Sequence, residues 1–109
     1  MAYSEELAAR VAELLPAEGG VETRRMFGTL VWMIDGRMAL GVLGECLVVR
    51  LSPAEAQGLL DPPGVRVFDF TGRPMRGWLT VAPERLRDED ALADWVGRAA
   101  RHAATQAGR

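Results

Sequence analysis

The chain has 109 residues, 49% of them hydrophobic and 26% charged, which suits one soluble domain with a sizeable core. Its formal net charge of -2 disfavours a bulk electrostatic grip on nucleic acid. A single cysteine, Cys46, excludes an internal disulfide, and no apolar run approaches the roughly 20 residues needed to cross a bilayer. The N-terminus has neither the basic nor the apolar region of a secretory leader, so a cytoplasmic protein is expected. All 13 basic residues are arginine, so every cationic side chain is a planar fork able to hold a carboxylate or phosphate by two bonds.

Ser4 is a candidate N-cap, with Glu5 and Glu6 where the helix dipole favours anions. Tyr3, Leu7, Val11, Leu14 and Leu15 recur at spacings of three and four, which predicts a first helix over 4–15, ended by Pro16 and Gly19-Gly20. Residues 21–34 read as one long strand, bent or bulged near Gly28. Asp35-Gly36 predicts a tight hairpin into 37–43, and Gly44-Glu45 a second turn into a strand over 46–51. These strands form an antiparallel meander.

Ser52-Pro53-Ala54-Glu55 reads as a capping box with proline at the first helical position, predicting a short helix from Pro53 to about Leu60. Strands at 65–68 and 78–81 then flank the segment 69–78. That segment holds two glycines, one proline, Arg73 and Arg76, and is read as a shaped loop. After Ala82-Pro83, Asp88 caps a last helix whose apolar stripe is Leu92, Trp95, Val96, Ala99 and Ala103. The order is α-β-β-β-α-β-β-α. The expected fold is a two-layer α+β domain with a five-stranded antiparallel sheet and helices mainly on one face.

Catalytic patterns are sparse. Cys46 opens an apolar strand, and the only histidine, His102, lies far along the chain on the last helix with no third orienting group, so a buried, inert thiol is expected. No His/Cys spacing suits a transition metal, and helix capping already explains the acidic pairs. No cofactor is expected. Trp95 and Trp32 read as core. Trp78 reads as core in preference to a stacking platform.

The candidate contact residues are Arg73 and Arg76, with Asp69 beside them and Arg25 on the long strand. They could meet an anionic or protein partner, or close on Asp69 as a structural corner.

Arg25-Met26-Phe27-Gly28, the Asp35-Gly36 hairpin and Phe70-Thr71-Gly72-Arg73-Pro74-Met75-Arg76-Gly77-Trp78, together with the N-terminal Met1 to Ala8, resemble the N-terminal domain of the TfoX/Sxy family. The resemblance spans almost the whole chain in the right order, so residues 1–109 are expected to be one such domain. It implies an α+β fold related to type III secretion chaperones. Full-length bacterial members regulate natural competence, acting with the cyclic-AMP receptor protein at certain promoters. They carry a second, helical C-terminal domain. The resemblance carries no catalytic residues across.

The expected function is therefore a non-enzymatic regulatory or interaction module with a protein partner, such as a component of the transcription machinery. Homodimerisation through an exposed edge strand is also expected. The alternatives are a small-anion binder or enzyme using the Arg73/Arg76 segment, and a direct nucleic-acid binder, which the acidic balance disfavours.

Overall fold

The computed structural model describes residues 3–15, 21–26, 28–34, 36–70 and 73–107. Ten elements follow in order: α1 (Glu5–Leu14), β1 (Val21–Met26), β2 (Thr29–Ile34), β3 (Arg37–Leu43), β4 (Cys46–Arg50), α2 (Pro53–Leu59), β5 (Val65–Phe70), β6 (Arg73–Val81), a short 3-10 turn (Pro83–Arg85) and α3 (Glu89–Ala107). The strands make one antiparallel sheet in the order β1-β2-β3-β4-β6-β5.

The architecture is α+β, as the patterning predicts, but the sheet has six strands and not five. The run 21–34 does not bend at Gly28; it reverses there. Met26 pairs directly with Thr29, and Gly28 takes φ 77°, a left-handed conformation that costs glycine little. A two-residue turn can therefore close where a bulge was expected, splitting the strand into β1 and β2. The Asp35-Gly36 hairpin is seen in the pairing of Ile34 with Arg37, although Asp35 itself lies outside the described residues.

The segment read as a shaped loop is mostly strand. Asp69 and Phe70 end β5, Arg73 opens β6, Asp69 pairs with Pro74, and only Thr71-Gly72, outside the described residues, lies between the strands. The glycines and proline mark irregularities within a hairpin. The pairing register shifts between Val67 and Asp69, and Gly77 takes φ 87° inside β6.

Both serine caps form as the sequence predicts. Ser4 Oγ accepts from Leu7 N at 3.1 Å and Ser52 Oγ from Glu55 N at 3.2 Å. The helices cover one face of the sheet. Their core cluster joins Leu7 and Val11 of α1, Ala56 of α2, and Leu92, Trp95, Val96, Ala99 and Ala103 of α3 to Trp32, Leu40, Val42, Leu47, Val49, Leu79 and Val81 of the sheet. Strand alternation sends the intervening residues to the opposite face, where Val31, Gly41, Val48 and Thr80 lie in register across four strands.

Arginine ties these layers together at their edges. Arg10 of α1 reaches Glu89 of α3 at 2.9 Å and donates to the Leu86 carbonyl at 2.8 Å. Arg98 of α3 holds Asp94 and, across to α2, Glu55, each at 2.9 Å. Arg85 pairs with Asp61. Exposed pairs of this kind contribute about 0–1 kcal/mol each, so they align the helices more than they stabilise the fold.

Candidate functional site

A groove runs between α2 and the β5–β6 hairpin. Leu51 N donates to the Gly77 carbonyl at 2.7 Å, which brings β6 against the chain just where α2 starts. Ser52 and Pro53 then turn the chain into α2, which lies over β6. A groove of about 640 Å³ remains between them, lined by Pro53, Ala54, Gln57 and Leu60 on one side and by Val67, Arg76, Trp78 and Leu79 on the other. Most of that lining is apolar. Arg76 is exposed, and among the described residues it makes no ion pair.

The four sequence-predicted contact residues do not converge. Arg76 reaches the groove lining. Arg73 opens β6, and its side chain lies outside the described residues, so the Arg73–Asp69 corner does too. Asp69 is exposed on β5, makes no ion pair with Arg76 among the described residues, and borders a separate depression of about 330 Å³ with Cys46, Arg66 and Thr80. Arg25 is exposed on β1, at the opposite edge of the sheet. Its neighbour Arg24 lies 3.8 Å from Glu22 on the same strand.

Trp78 is not part of the core cluster, contrary to the reading of it as core. It is half-buried, with its ring 6.4 Å from that of Phe68, and the Arg50 guanidinium carbon lies 5.5 Å from its centroid. Trp32 and Trp95 are in the core as expected. Gln57, Leu60 and Val67 carry no sequence signal that marks them as groove residues, and Arg50 none that marks it as a partner of Trp78. Arg50 and Trp78 are direct cross-strand neighbours, so only the β4–β6 pairing could have linked them.

Cys46 is half-buried beside the depression that Asp69 borders, and not the buried thiol that its apolar strand suggests. Burial pushes the Cys46 thiol up, with Glu84 and Glu45 acting the same way and Arg66 opposing them. Activation of a nucleophilic thiol requires the reverse shift. Alkylation of the native protein should therefore be slow at neutral pH. Its rate should rise with a midpoint above the ordinary thiol value of about 8.5. A midpoint below that value would show the thiol to be activated. Burial lowers the His102 pKa, and Arg50 adds to the effect against the pull of Glu55. No cluster of three or more metal-ligating side chains occurs among the described residues, nor does any helix there have the length and apolarity to cross a membrane.

The sequence profile of the TfoX N-terminal domain matches residues 13–103. No curated protein and no solved structure matches the chain.

Proposed function

The chain belongs to the TfoX N-terminal domain family, and from that premise we propose that it is a non-enzymatic regulatory module that binds a protein partner in the groove beneath α2. The groove carries the reading: an apolar trough with the exposed Arg76 guanidinium on its lining, which makes no ion pair among the described residues. Apolar anchors supply most binding energy at protein interfaces, and an arginine adds direction by gripping a carboxylate through two bonds. A partner segment with one or two apolar side chains and a neighbouring Asp or Glu fits this chemistry. A regulatory role in the cytoplasm, of the kind the family's full-length competence regulators perform, is part of the proposal.

The test is affinity capture from the native cytoplasm with wild type and Arg76→Glu, scored for protein, nucleic acid and metabolite. Protein capture should weaken by roughly thirty-fold, the effect of about 2 kcal/mol at an interface hot spot. The exposed substitution should change stability by no more than about 0.5 kcal/mol. Unchanged protein capture would overturn the proposal. An Arg76-dependent metabolite would favour the small-anion or enzymatic alternative. Nucleic acid released steeply by salt would favour direct binding.

A further inference from the structure

We propose that β1 is the interface of a homodimer, in which it pairs antiparallel with β1 of a second copy in a register centred on Thr23. Among the described residues β1 pairs only with β2, leaving one side of its backbone unmatched at the sheet edge. Such an edge is a template for another strand. Glu22, Thr23, Arg24 and Arg25 are all exposed.

Symmetry restricts how two such edges can meet. An antiparallel pair continues the sheet about a two-fold axis normal to it, and residues directly opposite one another share a face. The axis must then pass through a residue position and not between two. Centring on Glu22 or Arg24 sets like charges against each other at the axis. Centring on Arg25 does the same. Centring on Thr23 sets Glu22 opposite Arg24 of the second copy and, by symmetry, Arg24 opposite Glu22, with Thr23 against Thr23. Opposite charges directly across a strand pair stabilise it, and like charges destabilise it. Glu22 and Arg24 already lie on one face, 3.8 Å apart, a loose contact that each could exchange for a direct cross-strand partner.

The other edge offers no equivalent. The register of β5 shifts between Val67 and Asp69, and such irregularities discourage edge pairing. Its two charged residues, Arg66 and Asp69, lie on either side of that irregularity, so β5 offers no regular run in which they could be matched across a two-fold. The dimer would be a continuous twelve-stranded sheet, two copies of six, with the α2 grooves at its far ends. The inference is thus independent of the groove reading.

Light scattering and sedimentation of the full chain test it. Wild type should have twice the 11.9 kDa monomer mass at micromolar concentration. Arg24→Glu or Glu22→Arg alone creates two like-charge pairs and should raise the dissociation constant about ten-fold or more. The exchange Glu22→Arg with Arg24→Glu restores both pairs and should return it to within a few-fold of wild type. Thr23→Pro, with folding checked by circular dichroism, should give a monomer. Should that variant fail to fold, the charge series decides alone. A monomeric wild type, unaffected single variants, or an exchange no tighter than either single variant would overturn the proposal.

Discussion

Gly77→Ala should destabilise the protein by about 3 kcal/mol and lower Tm by roughly 12–20 °C. Two costs combine. At φ 87° a residue with a Cβ is strained, by roughly 1–2 kcal/mol. That Cβ would also lie 2.5 Å from the Leu51 carbonyl oxygen, and the clash is with backbone, which cannot swing aside as a side chain can. Relief requires β6 and the end of β4 to separate, stretching the 2.7 Å bond from Leu51 N to the Gly77 carbonyl. The control is Gly58→Ala in α2, where nothing lies within 4 Å of the new methyl. Alanine favours a helix over glycine, so this variant should gain about 0.5–1 kcal/mol. Thermal unfolding of the two variants separates them by sign. Because the Leu51–Gly77 contact also places α2 over β6, Gly77→Ala should impair partner capture as well. A neutral Gly77→Ala would mean that the strands do not approach so closely.

The sequence reveals the elements better than the site. Ser4 and Ser52 announce their helices because capping is local: a side-chain oxygen and an amide three residues on. The α3 stripe is equally legible, since the spacing of Leu92, Trp95, Val96, Ala99 and Ala103 is set by helical geometry alone. The turn at Gly28 is less visible because Phe-Gly lacks the Asp or Asn that marks the neighbouring hairpin, yet the same backbone conformation closes it. The segment 69–78 misleads for a related reason. Its glycines and proline suggest a loop, whereas cross-strand pairing from Asp69 to Pro74 holds it as strand.

Of the groove's lining, Arg76 alone stands out in the sequence as a contact residue. The groove gathers residues 52–60, Val67 and 76–79, three stretches that only the β5–β6 pairing and the α2 crossing bring together. Charge partners are illegible in the same way. Nothing local says that Arg98 will choose Glu55, 43 residues away, while Arg76 is left exposed.

Leu40→Ala should cost about 3–4 kcal/mol, within the 2–5 kcal/mol seen when a buried leucine is truncated. Leu40 is 0% exposed on β3, near the middle of the sheet, and belongs to the cluster beneath α3. The removed carbons leave a cavity enclosed by sheet and helix, where water gains few polar partners and the packed layers can only partly collapse. Neighbouring valines on β4 test that layered reasoning with side-chain size held fixed. Val49 is 0% and Val48 1% exposed, yet only Val49 belongs to the core cluster. Val48 faces the side of the sheet that carries no helix among the described residues. Val49→Ala loses two methyl groups' burial plus a cavity, about 2–3 kcal/mol. Val48→Ala loses the same burial, but on a face where no helix among the described residues holds its neighbours in place, so they can relax toward the space and it should cost about 1–1.5 kcal/mol. Denaturant unfolding measures all three. Equal costs for Val48 and Val49 would show the second face to be as tightly enclosed as the first, and two-layer packing would no longer account for the stability of the sheet.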